Sequence, residues 1–146
     1  MDEFEARAGA YISQHQMLQK GDTVATVSPC WGIAGGREYI WKYKIGVQRL
    51  QRMGITVAAV PNSMRGEKYL RENPAARAED LLWAFEKEKI KAVIANIGGN
   101  DSERVLPYLK DGGIKSHPKI FIGYSDVMNL HLFCYRAGLS TLYGHN

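Results

Sequence analysis

A serine that follows a short apolar segment is the residue of this chain best placed for nucleophilic chemistry. Ser125 comes after residues 119–122, of which 120–122 are apolar, and Gly123 stands two positions before it. A strand, a tight turn with G-x-S and then a helix is the layout of a nucleophile elbow, which lifts the hydroxyl clear of the sheet. Val127 occupies the place of the second small residue of that motif. A strand end with an N-cap serine therefore explains residues 123–126 equally well.

Backbone N–H groups near Ser125 are the predicted donors to an oxyanion. Asp126 fits as the residue that caps or opens the following helix, and free N–H groups in its first turn point at negative charge that develops beside them. Gly98 and Gly99 end another predicted strand and permit a close backbone approach. If they lie beside Ser125, one of their N–H groups and that of Asp126 stabilise a tetrahedral oxyanion by about 3 kcal/mol. A tight turn is the alternative for this doublet.

The glycine-rich loop and the histidines are weaker candidates for a functional site. Residues 32–36 form a glycine-rich loop that suits a phosphate, but they match neither G-x-G-x-x-G nor a Walker loop, so an ordinary connection is favoured. His131 lies more than a turn and a half beyond Ser125 on the same helix, which favours a packed histidine over a general base. His117 precedes a strand at the opposite edge, whereas His145 follows the last strand and could face the site. No metal-ligand spacing is present, so neither a metal nor a cofactor is predicted.

Composition limits the classes of protein that fit. The chain has 146 residues, 45% apolar and 23% charged, which indicates one globular domain. Its net charge of +4 is interleaved with acidic residues, most clearly over 65–88, so no basic stripe for nucleic acid is expected. No run of 18 apolar residues predicts a membrane span, and the acidic start does not fit a signal peptide. Cys30 and Cys134 are interpreted as free thiols of a cytoplasmic protein.

Strand and helix patterns alternate along the chain. The apolar positions Val127, Leu130, Cys134 and Ala137 form one face of a helix after the elbow. The predicted strands are 23–28, 55–60, 92–97, 119–122 and 141–143, and the predicted helices are 4–18, 37–53, one from Pro74, 102–109 and one from Asp126. This alternation predicts an α/β fold, a mostly parallel sheet with helices on both faces in a single three-layer, flavodoxin- or Rossmann-like domain. The loops 29–36, 98–102 and 123–126 should converge at the carboxyl edge of the sheet.

Several separated motifs together resemble the LD-carboxypeptidase family of serine peptidases. They are Gly21-Asp22, Ser28-Pro29, the run Ile97-Gly-Gly-Asn-Asp-Ser-x-Arg-x-Leu-Pro-Tyr-Leu109, and Pro118-Lys-Ile-Phe-Ile-Gly-Tyr-Ser-Asp126. The first part of the long run is most similar to the microcin C immunity-type branch, because murein LD-carboxypeptidases typically have Arg-Gly-Gly-Tyr-Gly there. The resemblance implies that residues 18–146 form the N-terminal, nucleophile-bearing domain. Residues 1–17 lie outside it as a lead-in extension or a tag-like segment.

The resemblance also implies roles for particular residues. Ser125 maps onto the nucleophile, and the N–H groups of Asp126 and of the doublet Gly98-Gly99 map onto the oxyanion donors. Substrate contacts are expected from the neighbouring Asn100, Ser102 and Tyr124. Members of the family use a Ser-His-Glu triad without a metal or cofactor, are cytoplasmic, and are often homodimers. They cleave an amide in a peptidyl or aminoacyl sulfamoyl-adenylate, or in a murein tetrapeptide.

One departure from the family bears on activity. The triad Glu and His of family members come from a C-terminal domain, and none of the four histidines here matches the triad histidine. A serine without its base is a poor nucleophile, so the isolated domain is predicted to have little or no peptidase activity. Residues 144–146 read Gly-His-Asn where relatives often have Gly-Pro-Asn. The alternatives are a murein tetrapeptide LD-carboxypeptidase and a non-catalytic, flavodoxin-like anion-binding module.

Overall fold

The computed structural model of the protein describes residues 17–145, and the helix predicted over 4–18 falls almost wholly outside this range. Five parallel strands form one sheet in the order β2-β1-β3-β4-β5. The strands are β1 Thr23–Val27, β2 Thr56–Ala58, β3 Ile90–Ala95, β4 Ile120–Gly123 and β5 Leu142–Tyr143. This 2-1-3-4-5 order is the flavodoxin-like doubly wound arrangement. The predicted fold class is confirmed.

Five α-helices and three 3₁₀ turns connect the strands. The helices are α1 Ile40–Arg52, α2 Glu67–Glu72, α3 Pro74–Glu86, α4 Asp111–Ser116 and α5 Met128–Arg136; the 3₁₀ turns are Gly32–Gly35, Ser102–Tyr108 and Ser125–Val127. None of the helices in the described part of the chain is long and apolar enough to cross a membrane.

Two short helices lie where the sequence predicted a loop and a turn, so those predictions were wrong. Each is a six-residue helix held by one fully buried apolar side chain, Leu70 in α2 and Ile114 in α4. A helix of this length gives no apolar periodicity to recognise. The helix predicted over 102–109 is instead a 3₁₀ turn that contains Pro107, a residue that lacks the N–H an α-helix interior needs.

The residues at positions 73, 74 and 54 determine where two of the helices begin or end. Pro74 occupies the first position of α3 as predicted, but the Asn73 side chain makes no capping bond to that helix. Its Nδ2 donates instead to the carbonyl oxygen of Tyr69 at 2.8 Å, at the end of α2. Gly54 has φ +82° just beyond α1, the left-handed conformation that terminates a helix at low cost.

The apolar core is split into two clusters, one on each face of the sheet. The larger cluster joins β1, β3 and β4 to α3 and α5. The four predicted positions of the helix after the elbow, Val127, Leu130, Cys134 and Ala137, are all buried there, which confirms that helix face. The smaller cluster is built on Val24, Ile55, Ala92 and Ile120, with Leu50 of α1 packed against it.

Candidate functional site

The turn after β4 holds Ser125 in an unusual backbone conformation. Ser125 has φ +61° and is the one non-glycine residue of positive φ within residues 17–145. For an L-residue this conformation costs about 1–2 kcal/mol. A Cβ on the preceding Gly123 would lie 2.6 Å from Cγ1 of Val127. Only glycine therefore allows the chain to fold back this tightly, and the turn leaves the Ser125 side chain exposed.

The glycine doublet lies directly against this turn. A Cβ on Gly98 would stand 2.9 Å from Cβ and 3.2 Å from Oγ of Ser125. A Cβ on Gly99 would stand 2.8 Å from the backbone nitrogen of Trp31, and the Trp31 N–H donates to the Gly98 carbonyl at 3.2 Å. The loops that follow β1, β3 and β4 therefore meet at one edge of the sheet, as the alternation of strands and helices predicted.

The Asp126 side chain clamps the second of these loops to the elbow. Its Oδ2 accepts the N–H of Asp101 at 3.1 Å and the N–H of Ser102 at 2.9 Å. The sequence predicted that Asp126 caps or opens the following helix. Asp126 does lie in the 3₁₀ turn that leads into α5, but its carboxylate makes no capping bond there and instead caps the 3₁₀ turn that begins at Ser102. Its own N–H lies in the first turn of Ser125–Val127, where backbone donors have no acceptor within the helix.

Of the three predicted substrate contacts, Ser102 does not reach the surface. It is fully buried, and its hydroxyl donates to the Asp126 carbonyl oxygen at 2.6 Å while Asn129 Nδ2 donates to it at 2.9 Å. Its hydroxyl is thus used inside the protein. Asn100 is exposed beside the glycine doublet, and Tyr124 is half-buried.

Arg77 is a buried member of the site that sequence reasoning missed. Its Nη1 donates to the carbonyl oxygens of Pro29 and Cys30, each at 3.1 Å. Nη1 and Nη2 also form a two-bond ion pair with Asp101 at 2.9 and 3.2 Å. This one side chain therefore connects the loop after β1 to the loop after β3. Arg77 precedes the apolar Leu81 by four residues and so lies on the same face of the helix, and this spacing could have indicated that the arginine is buried.

The buried carboxylate of Asp80, about one turn beyond Arg77 on α3, also connects separate segments of the chain. Ser63 Oγ donates to Asp80 Oδ2 at 2.6 Å and accepts the N–H of Ser28 at 3.0 Å. Asn96 Nδ2 in turn donates to Ser28 Oγ at 3.0 Å. The ends of β1 and β3, from which two of the site loops start, are fixed by this chain of hydrogen bonds.

The two cysteines are buried free thiols. Burial raises the pKa of Cys30, and the neighbouring Asp126 carboxylate, to which the thiol donates, raises it further. Burial alone raises the pKa of Cys134 to about 12. Both thiols are therefore protonated near neutral pH, and neither is available as a nucleophile.

His131 is packed rather than poised as a base, in agreement with the sequence prediction. Its Nε2–H donates to the Gly123 carbonyl at 3.0 Å, and Nδ1 is hydrogen-bonded to Thr141 Oγ1 at 2.7 Å. Burial lowers its pKa. His117 is bonded to Gly113 within its own segment, and the ring of His145 lies 4.3 Å from that of Tyr124.

No group of three or more His, Cys, Asp or Glu side chains suited to a metal ion occurs among residues 17–145. The opposite edge of the sheet carries a separate cleft lined by Lys91, His117 and Lys119. There Lys119 donates to the carbonyl oxygens of Ala84 and Lys87 at the end of α3. Burial, and then the charge of Lys91, lower its pKa to about 8. This cleft lies at the amino ends of the strands, away from Ser125.

Comparison with known proteins identifies the family. The family model for the LD-carboxypeptidase N-terminal domain matches residues 24–144. The chain belongs to the LD-carboxypeptidase family. Its match to the N-terminal domain covers the sheet except Thr23, and all three loops of the site.

Curated relatives come from both branches of the LD-carboxypeptidases. A Bacillus subtilis (strain 168) protein named "Probable murein peptide carboxypeptidase" is 30% identical over 128 residues, which are 87% of this chain and 39% of that protein. The microcin C7 self-immunity protein MccF of Escherichia coli is 33% identical over 100 residues, 68% of this chain and 29% of MccF.

Solved structures of LD-carboxypeptidase relatives have the same fold. An MccF-like protein from Streptococcus pneumoniae in complex with AMP is 34% identical, with a TM-score of 0.81, over 86% of this chain and 37% of that one. MccF in complex with aspartyl sulfamoyl adenosine is 27% identical, with a TM-score of 0.74, over 85% of this chain and 37% of that one. The chain thus spans about two fifths of the length of these relatives.

Proposed function

We propose that this chain supplies the nucleophile of a serine carboxypeptidase that cleaves an amide bond in a peptidyl- or aminoacyl-nucleotide. The observation that carries the proposal is the left-handed backbone of Ser125, which stands at the end of β4 with Gly98 in contact with its side chain. A strained residue at such a strand–helix turn is characteristic of a nucleophile elbow.

The roles follow from the geometry of the loops. Ser125 Oγ attacks the carbonyl carbon, and the developing oxyanion is held by the N–H of Asp126 and an N–H of Gly98 or Gly99. The Asp126 carboxylate keeps these donors together, because it binds Asp101 and Ser102 in the loop that follows the doublet. Asn100 and Tyr124 flank the cleft and contact the substrate.

The base that activates Ser125 lies outside the described residues in this proposal. Both ring nitrogens of His131 are engaged by Gly123 and Thr141, and His117 lies at the other edge of the sheet. The ring of His145 lies 4.3 Å from that of Tyr124, but this histidine does not match the triad histidine of the family. The resemblance implies that the base is a His-Glu pair of the C-terminal domain found in family members, so this chain by itself should hydrolyse substrate slowly or not at all. The cytoplasmic setting and the homodimer, both implied by the family resemblance, belong to this proposal as well.

An amino boronic acid tests the nucleophile without requiring turnover. Attack by Ser125 converts the trigonal boron into a tetrahedral adduct whose oxygen mimics the oxyanion. We expect a tetrahedral ¹¹B signal and shifted amide resonances of Gly98, Gly99 and Asp126 on addition of an N-acetylated amino boronic acid. Ser125→Ala should abolish both changes, whereas Ser140→Ala, at a serine beyond α5, should retain them. An adduct of equal strength in Ser125→Ala would show that another group is the nucleophile.

A murein tetrapeptide is the second candidate substrate, favoured by the Bacillus subtilis relative and its name. The nucleotide reading is supported by the AMP and aspartyl sulfamoyl adenosine complexes of MccF-like proteins. Calorimetric titration of the chain with aspartyl sulfamoyl adenosine and with an L-Ala-D-Glu-containing tetrapeptide separates the two. Preferential binding of the tetrapeptide would assign the chain to the murein branch, and binding of inorganic phosphate alone would favour a non-catalytic anion-binding module.

A further inference from the structure

The Tyr143 hydroxyl lies beside the backbone of Ser125. The Ser125 N–H donates to the Tyr143 hydroxyl oxygen at 3.1 Å. The two residues are brought together by the register of the sheet, which pairs Gly123 of β4 with Tyr143 of β5. The turn then returns Ser125 to the level of that pair. Nothing in the local sequence of the elbow indicates this contact, because its partner lies 18 residues further along the chain.

This hydrogen bond is made by the residue that carries the backbone strain. Ser125 holds φ at +61°, and relaxation to negative φ would turn its peptide N–H away from the Tyr143 oxygen. The free energy of one hydrogen bond is comparable to the cost of a left-handed serine. The contact is therefore of the right size to decide which conformation Ser125 adopts.

Tyr143 is also connected to the turn at Ser125 through His131. Its ring lies edge-on to that of His131, with centroids 5.6 Å apart. His131 in turn donates to the Gly123 carbonyl and is bonded to Thr141, just before β5. Gly123, His131, Tyr143 and Ser125 thus form a closed ring of contacts. Because β5 has only two residues, this ring makes a large contribution to holding it beside the turn.

We propose that Tyr143 is a positioning residue for the nucleophile. Its hydroxyl oxygen holds the N–H of Ser125, keeps the left-handed backbone, and so directs Oγ to the cleft beside Gly98. The same bond occupies the Ser125 N–H, which leaves the N–H groups of Asp126 and the glycine doublet as the oxyanion donors. This role deepens the proposed function of Ser125 and rests on it.

Tyr143→Phe tests the bond, because it removes the oxygen but keeps the ring against His131. Tyr135→Phe on α5 is the matched control, since Tyr135 is 60% exposed and Tyr143 57%. We expect the Ser125 amide hydrogen to exchange about five- to tenfold faster in Tyr143→Phe, the factor that corresponds to losing one hydrogen bond. The ¹³Cα and ¹³Cβ shifts of Ser125 should also leave their left-handed values. The control should match the unchanged chain in both measurements.

Two further measurements separate positioning from a general structural role. The free energy of unfolding of Tyr143→Phe should stay near that of Tyr135→Phe, and its affinity for the amino boronic acid should fall at least fivefold. Unchanged Ser125 exchange and carbon shifts would overturn the proposal, as would a loss of unfolding free energy without a local change at Ser125. If Ser125→Ala bound the amino boronic acid as tightly as the unchanged chain, the proposed function would fail. The exchange measurement would still decide whether Tyr143 holds Ser125.

Discussion

Phe121 and Ile122 are neighbours on β4, yet they lie in very different surroundings on opposite faces of the sheet. Phe121 is fully buried in the larger cluster, beneath α3 and α5, and its ring lies 6.2 Å from that of Phe85. Ile122 is half-buried against the smaller cluster. The helix on its side, α1, has no fully buried residue and exposes Trp41 and Ile45.

The difference shows where the site obtains its rigidity. The turn at Ser125 leads directly into α5, and the loop of residues 98–102 is bound through Arg77 to α3; both helices belong to the densely packed face. A catalytic arrangement needs support that holds it to within about 0.5 Å. The thinly covered face forms the other side of the sheet. Four predictions test this contrast, in order of decreasing effect.

The largest effect is expected from Arg77→Ala. The change removes four hydrogen bonds and leaves Asp101 without its ion-pair partner in the interior. We expect a loss of about 4–5 kcal/mol in the free energy of unfolding, measured by denaturant titration. Arg104→Ala is the control, because Arg104 contacts the same Asp101 at 3.5 Å with a side chain 45% exposed. Its loss should stay below about 1 kcal/mol, and equal losses would contradict a special role for the buried arginine.

Truncation of the adjacent β4 residues compares the two faces directly. Phe121→Ala should lower the free energy of unfolding by about 3–4 kcal/mol, because it empties a fully buried site. Ile122→Ala should cost about 1–2 kcal/mol, since part of that side chain is already in contact with water. Similar values for the two variants, in the same denaturant assay, would mean that the faces are equally packed.

A leucine-to-alanine substitution on α1 and on α3 compares how firmly the two helices pack on their faces of the sheet. Leu50→Ala on α1 should cost about 1 kcal/mol, as expected for a half-buried side chain. Leu81→Ala on α3, where the side chain is fully buried, should cost about 3 kcal/mol. Thermal unfolding of both variants, followed by circular dichroism, checks the difference. A Leu50→Ala loss as large as that of Leu81→Ala would show that α1 is as firmly docked as α3.

The smallest effect concerns the pH dependence of stability on the packed face. Burial lowers the pKa of His131 in the folded protein. As the pH falls below about 6.5, the imidazole of His131 is therefore protonated in the unfolded chain before it is protonated in the folded one. Stability from this group is therefore complete above that pH and declines toward the folded pKa. We expect a slope of less than about 1.4 kcal/mol per pH unit. His131→Asn should flatten the dependence of the free energy of unfolding on pH between pH 7 and 5.

The sequence predicted the sheet and the loops better than the side-chain partners. Apolar runs located the strands, since each strand of a parallel sheet is buried on both faces. Short helices such as Glu67–Glu72 went unrecognised because a single anchor, Leu70, holds them. Ser102 was expected at the substrate, but it lies in the interior, where Asp126 and Asn129 bind its hydroxyl. That placement depends on a partner 24 residues away, which local patterns do not encode.

By itself, the sequence determined the parallel α/β architecture and placed Ser125 and the glycine doublet at strand ends, because these depend on periodicity and on residues that lack a Cβ. Only the tertiary structure decided that the doublet meets Ser125. It alone also decided that Asp126 caps another segment, that Arg77 joins two loops from the interior, and that Tyr143 meets the N–H of Ser125. These contacts join residues far apart in the chain. Their hydrogen-bond partners are fixed by strand order, register and helix packing rather than by neighbours in sequence.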